Sequence, residues 1–452
     1  MKIHFIAIGG AVMHNLAIAL HLKGYEVTGS DDEIFEPSAG RLAAHGLLPP
    51  APGWDPGKIT PALDAVILGM HARADNPELL RAQELGVKIY SFPEYLYEQS
   101  KDKTRVVIGG SHGKTTLTSM IMHILRSAGA DFDYMVGAQI EGFDTMVRVT
   151  AAAPVMILEG DEYLTSPLDP TPKFHWYRPH IALLTGIAWD HINVFPTFEQ
   201  YVEQFRIFLQ KVETGGRLYY FGGDEQLERL AKEAGSRVEC SPYREHPYLT
   251  EDRTWLLREG GRQVDVPLFG AHNMQNIMGA LMVCRELGIS EEDFYRHIGS
   301  FRGAARRQQL LAAANGSEVY LDFAHAPSKV VSTVKAFREK AGQRPLVACL
   351  ELHTFSSLNA DFLPQYRGSM DAADRALVYF DPHTVEHKKL PALDEEQVKK
   401  AFGRKDLTVV TSAEEVSAFL LSNKKQNSIF LLMSSGHFSG TDLTALAGQL
   451  TE

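Results

Sequence analysis

Eight consecutive residues, Gly109-Gly110-Ser111-His112-Gly113-Lys114-Thr115-Thr116, have the composition of a loop that holds a phosphate. Glycines let the backbone turn its amides inward on an anion, and a helix beginning at the loop adds partial positive charge. Lys114 can then reach outer phosphates, and the Thr115 hydroxyl can bind Mg²⁺. The strict pattern has glycine six positions before the lysine, and Ile108 stands there, so the loop is a variant. Two polar clusters lie downstream. Glu159-Gly160-Asp161-Glu162 follows an apolar run, and a carboxylate there, beside a phosphate loop, is placed to hold Mg²⁺ directly or through water. Alone the cluster would read as a solvated acidic turn; the upstream loop favours Glu159 as a metal ligand. Trp189-Asp190-His191 follows a second apolar run, and His191 can bind a metal or orient a substrate carboxylate. A lone histidine is more often structural.

These residues need strands to deliver them. The loop follows Arg105–Ile108, the acidic cluster follows Val155–Leu158, and the histidine cluster follows Ile181–Leu184. Short apolar runs bounded by Gly, Asp and Pro predict buried parallel strands with crossover helices. Before them, Ile3–Ile8, Tyr25–Thr28, Ala65–Leu68 and Val87–Tyr90 predict a separate unit, ending at a charged, hinge-like Lys101-Asp102-Lys103. Between Cys240 and Pro267 short polar strands are expected, then a helix over His272–Leu287. From Arg302 onward Val319–Asp322, Leu346–Leu350, Ala376–Phe380 and Ile429–Met433 predict a third α/β unit.

Length and composition agree. A chain of 452 residues is about three domains long, and 44% apolar residues can fill a core in each. A net charge of −11 argues against broad binding to a nucleic-acid backbone, though one phosphate site needs only a lysine and backbone amides. Cys240, Cys284 and Cys349 form neither a metal-type nor a redox pair. With no secretory pattern at the start and no apolar run long enough to span a bilayer, a cytoplasmic protein is expected.

Gly110–Thr116, Glu159 and Asp190-His191, in this order, resemble the central domain of a Mur ligase. Phe269-Gly270-Ala271-His272-Asn273-Met274-Gln275-Asn276 resembles the family segment whose asparagine contacts adenine, here Asn273. Arg306-Arg307 is similar to the arginine pair that reaches the nucleotide. Leu321-Asp322-Phe323-Ala324-His325 is similar to the segment that holds the ATP ribose, at Asp322, and lies near the incoming amine, at His325. Ile3–Met13 resembles the UDP-binding turn of members that accept UDP-N-acetylmuramate. It departs at Ala7 and Val12, where glycines are common. Gly9 and Gly10 would admit a diphosphate, and Ser30 and Asp31 lie where such folds contact the nucleoside.

The resemblance implies three domains: a Rossmann-like UDP-muramate-binding domain over 1–102, a P-loop ATPase domain over 103–301 and a Rossmann-like ligase domain over 302–452. ATP would be cradled by Gly110, Ser111, His112, Gly113, Lys114, Thr115 and Thr116, with Mg²⁺ on Thr115 and Glu159 and a second Mg²⁺ on His191. Many relatives carry a carbamylated lysine downstream of the histidine motif; Arg206 at that spacing cannot be modified in that way, as in the muramate-accepting branch. Within that branch one member adds L-alanine. Another, in peptidoglycan recycling, adds the tripeptide L-alanyl-γ-D-glutamyl-meso-diaminopimelate. Asp161–Pro179, Gly29–Ser38 and Met433-Ser434-Ser435-Gly436 look like the tripeptide enzyme, whereas Ala326 departs from a second histidine often found there. Lys329 and His353 are candidate contacts for the diaminopimelate end or ordinary surface residues. No nucleic-acid, membrane or protein partner is implied. A nicotinamide dehydrogenase is the rival from another class, and it leaves the phosphate loop unexplained.

Overall fold

The computed structural model describes residues 1–166, 168–251 and 253–452. Three mainly parallel sheets organise them, each with its own helices. In the first, the strands run in the order Glu26–Ser30, Lys2–Ile6, Ala65–Leu68 and Ile89–Ser91. Alternate side chains of Lys2–Ile6 enter different cores, Phe5 one and Ile6 the other. Burial on both faces is why such strands read as unbroken apolar runs.

The middle sheet is larger. Its order is Glu239–Tyr243, Arg217–Phe221, Ile181–Leu184, Thr104–Gly109, Val155–Glu159, Asp133–Met135 and Val147–Arg148, the last pair antiparallel. The three strands carrying chemical motifs are therefore adjacent. Their register aligns Ile108 with Glu159 and Gly109 with Leu184. Their carboxyl ends thus reach one level, where open α/β sheets bind ligands. Helix Lys114–Ser127 leaves the loop and packs on helix Ala271–Glu286. A Cβ on Gly279 would lie 3.0 Å from both Leu117 and Leu183, so a side chain there would crowd this packing.

Several expectations need correction. Cys240 lies in a strand of the large sheet, while Tyr248–Thr250, Thr254–Leu257 and Gln263–Val266 form a separate antiparallel sheet. Arg217–Phe221 was not expected as a strand, because Arg217 and three aromatics obscure the apolar pattern. The hinge-like charges also divide. Lys101 and Asp102 are exposed, but Lys103 is buried and bonds Asp133 at 2.7 Å and the carbonyls of Thr150 and Ala153. Arg105 clamps the same crossing, donating to the carbonyls of Ser100, Lys101, Tyr177 and Arg178 and to Glu213.

The third sheet runs Gln309–Ala314, Ser317–Asp322, Ile429–Met433, Leu346–Leu352, Arg375–Phe380 and Thr408–Val410, with the first strand antiparallel. Gln309–Ala314 escaped the sequence reading because it is a largely exposed edge rich in alanine. Among the described residues no helix is long and apolar enough to cross a membrane.

Candidate active site

The phosphate loop has the conformation its glycines permit. Gly110 sits at φ 117° and a Cβ there would lie 2.3 Å from Thr185 Oγ1; Gly113, at φ 67°, would place one 2.4 Å from Asn276 Oδ1. Both positions therefore require glycine. Ser111 is buried and fixes the loop to its neighbours, its hydroxyl 2.9 Å from Tyr201 Oη and accepting from the Ala188 amide. Thr185 Oγ1 donates to the His112 carbonyl at 2.5 Å. The His112 Nδ1 is buried without a hydrogen-bond partner, and burial pushes this imidazole down to about 3, so it is neutral at physiological pH.

Lys114 opens the helix and turns its ammonium back to the Gly110 carbonyl, at 2.8 Å, and to Glu162 Oε2, at 2.6 Å. Burial opposes its charge, but Glu162, Asp161 and Glu159 outweigh that and hold its pKa above the usual lysine value. Thr115 Oγ1 donates to Glu159 Oε1 at 2.8 Å, and the Gly137 amide donates to Glu159 Oε2 at 2.8 Å. Burial raises the Glu159 pKa. Thr116, the last loop residue, is buried on the wall of the same cavity.

Glu162 was passed over in favour of Glu159, yet it links the site. It is buried, pairs with Lys114, accepts from Tyr201 Oη at 2.9 Å and lies 3.7 Å from His191 Nε2. The sequence placed it in the same acidic cluster, but past the strand end no periodicity says which carboxylate faces the loop. His191 itself has φ 56°, a left-handed conformation for a residue with a side chain. Its neighbour Asp190 is buried, accepts from the His191 amide at 2.8 Å and lies 3.5 Å from Lys329 Nζ. Thr115, expected to share one Mg²⁺ with Glu159, meets that carboxylate, whereas His191, expected at a second Mg²⁺, lies beside Glu162.

A cavity of about 640 Å³ joins the three sheets' loops. Lys114, Thr115, Glu159, Asp161 and Lys173 line it from the middle unit, Val12 and Phe92 from the first, and Arg306, Asp322 and Lys329 from the third. Asn273 also lines it, its amide donating to Phe269 O and Gln308 Oε1. Asp322 uses one oxygen for the Gln308 amide and the other for the Ala324 amide, each at 2.8 Å. Arg306, at φ 58°, reaches the carbonyls of Ser434 and Gly436. Lys173 bonds Asp161 at 2.6 Å, which brings the stretch after Asp161 into the cavity wall; Pro167 within that stretch lies outside the described residues.

Other expected residues stand apart from this lining. His325 Nδ1 donates to the Phe323 carbonyl at 2.8 Å, so Nε2 carries the lone pair, and burial and Lys329 push the ring down to about 3. Gly9, Gly10, Ser30 and Asp31 gather at the carboxyl ends of the first sheet. The Gly9 amide donates to Asp31 Oδ2 at 2.7 Å, and Ser30 Oγ accepts from Lys58 at 2.8 Å. Burial raises Asp31 to about 6. Ala7, at φ 65°, takes a conformation usually left to glycine. Val12, in the helix that follows Gly10, reaches the cavity wall. His353 lies elsewhere, 3.9 Å from Glu351 in the third unit.

Three α/β units thus meet at a phosphate loop. Two family models match: "Mur ligase family, catalytic domain" over residues 2–104 and "Mur ligase middle domain" over residues 108–284. The UDP-N-acetylmuramate–L-alanine ligase of Arthrobacter sp. (strain FB24) is 31% identical over 388 residues, covering 83% of this chain and 80% of that protein. The UDP-N-acetylmuramate–L-alanyl-γ-D-glutamyl-meso-2,6-diaminoheptandioate ligase of Escherichia coli (strain K12) is 30% identical over 361 residues, covering 78% and 79%. Two solved structures share the fold across the whole chain. A murein peptide ligase from Psychrobacter arcticus has TM-score 0.68 and 23% identity, covering 100% of this chain and 99% of that one. An UDP-N-acetylmuramate-alanine ligase from Thermotoga maritima has TM-score 0.69 and 20% identity, covering 100% and 98%. The chain belongs to the Mur ligase family. It is an ATP-dependent ligase forming an amide bond in peptidoglycan metabolism.

Proposed function

We propose that this ligase acts in the cytoplasm, joining L-alanyl-γ-D-glutamyl-meso-diaminopimelate to the carboxylate of UDP-N-acetylmuramate. The carrying observation is the single cavity that joins the phosphate loop to residues of all three units. Residues 1–102 would bind the UDP-linked acid through Gly9, Gly10, Ser30 and Asp31. Residues 103–301 would bind ATP, with Asn273 at the adenine, and residues 302–452 would bring Arg306, Asp322 and His325. The tripeptide is favoured over L-alanine by the stretch after Asp161, whose Asp161–Lys173 pair forms part of the cavity wall. L-Alanine as the amine is the second reading, since relatives of both activities match comparably.

A carboxylate is a poor acyl donor because oxide would have to leave. Transfer of the ATP γ-phosphoryl to a carboxylate oxygen gives an acyl phosphate and ADP. The amine nitrogen then attacks the carbonyl carbon and loses a proton, and breaking the carbon–oxygen bond releases phosphate and the amide. Lys114 would neutralise charge on the moving phosphoryl, with Glu162 holding its ammonium in place. Hard oxygen donors at Thr115 and Glu159, beside the loop, suit Mg²⁺, which when bound would neutralise phosphate charge. No group of three or more His, Cys, Asp or Glu residues suited to a metal occurs among the described residues, which suits an ion held largely by substrate phosphates. His191 would take part in a second such site.

Two results follow. His191→Ala should raise the Mg²⁺ needed for half-maximal rate by ~10-fold or more, with little change in Tm. His191→Asn, which tolerates the left-handed backbone, separates backbone strain from ligand loss. An unchanged Mg²⁺ requirement together with a lowered Tm would make His191 structural. For the amine, the tripeptide should give a kcat/KM at least ~100-fold above that of L-alanine, because remote contacts orient the reacting end. A higher value for L-alanine would replace the first reading with the second.

A further inference from the structure

Three lysines line the central cavity, Lys114, Lys173 and Lys329. The first is hydrogen-bonded to Gly110 and Glu162 and the second to Asp161. Lys329 is different. Its ammonium makes no hydrogen bond to the described residues and has only a 3.5 Å ion pair with Asp190 Oδ2, although 76% of its side chain is covered. An ammonium on the cavity wall with donors to spare beyond Asp190 can take up an anion there.

Its place in the fold carries a cost. Lys329 lies in the first turn of helix Pro327–Ala341, a helix with no acidic residue in that turn. A cation at a helix N-terminus opposes the backbone dipole by roughly 0.3–1 kcal/mol. The helix itself therefore gives no reason for lysine here; Asp190 and an anion in the cavity do. The helix belongs to the third unit, and Asp190 to the middle one. The same junction is held by Asn273 with Gln308 at 2.9 Å and by Trp189 edge-on to Phe362 at 6.0 Å.

We propose that Lys329 is a catalytic cation for the phosphoryl transfer, supplied from the third unit across the cavity from Lys114. Asp190 holds the ammonium in the cleft until the anion takes up its free donors. This rests on the phosphoryl-transfer reading above, with Lys114 as the cation supplied from the loop side.

Scrambling of ¹⁸O between the bridging and non-bridging positions of [β,γ-¹⁸O]ATP, with UDP-N-acetylmuramate and Mg²⁺ but no amine, reads acyl phosphate formation alone. Lys329→Met should slow scrambling at least ~100-fold, the scale of losing one preorganised charge, while Lys329→Arg retains most of it. Lys329→Gln gives the same answer should the methionine variant fold poorly, and Tm is measured for each. Scrambling within threefold of the parent in a folded Lys329→Met or Lys329→Gln chain overturns the proposal. So does a defect confined to the KM of the amine, which would make Lys329 a contact for that substrate. Lys114→Ala is run alongside. If it too scrambles like the parent, the phosphoryl-transfer reading of the loop fails, and Lys329 with it.

Discussion

Lys114→Ala is expected to lower turnover at least ~100-fold, the loss found when one preorganised charge is removed from a transition state. The geometry makes the effect specific. The ammonium is fixed by Gly110 O at 2.8 Å and Glu162 at 2.6 Å, so it needs little reorganisation when charge moves on the phosphoryl group. Removing it also leaves the Glu162 carboxylate buried beside the loop with Tyr201 as its remaining hydrogen-bond donor. Lys114→Ala/Glu162→Gln removes that stranded charge and should recover stability without recovering turnover. Steady-state kinetics and thermal melts on both variants separate the two effects. Near-parental turnover in a folded Lys114→Ala chain would remove Lys114 from the chemistry.

The largest effect on stability is expected where the middle unit begins. Lys103→Met breaks a buried pair with Asp133, leaving that carboxylate wholly covered. Such a break costs about 3–5 kcal/mol when the partner stays charged. Asp133 keeps hydrogen bonds from Thr150 N and Oγ1 and has Arg148 at 3.7 Å, so a value near ~3 kcal/mol is expected. Urea titration reads the change, and a loss below ~1 kcal/mol would show that the pair adds little to the middle unit's stability.

Much of the site's scaffold was legible because its strands are buried on both faces. Ala65–Leu68, Ile181–Leu184 and Ile429–Met433 have the same bounds in sequence and structure. The adjacency of the three motif-bearing strands follows from sheet order, which no local pattern carries. Arg217–Phe221 and Gln309–Ala314 were missed where an arginine and aromatics in the first, an interior strand, and an exposed alanine-rich edge in the second hide the strand pattern. Within the site, residue types announced the loop but not its partners. Glu162 rather than Glu159 meets Lys114 because the chain turns irregularly after the strand. Lys329 looked like an ordinary surface residue or a tripeptide contact, and only the docking of the third unit brings it opposite Asp190. The left-handed backbones of His191 and Arg306 carry no sequence mark, since only a small share of residues of either type lies in that region.

The most direct test of the whole account is the mass of the product. UDP-N-acetylmuramate, ATP, Mg²⁺ and the tripeptide are incubated with the protein, and nucleotide-linked species are read by mass spectrometry alongside ADP release. The account predicts a species equal to the UDP-linked acid plus the tripeptide less one water, formed in step with ADP and phosphate. Release of ADP with no condensed product from the tripeptide, from L-alanine or from any other amine offered would contradict it.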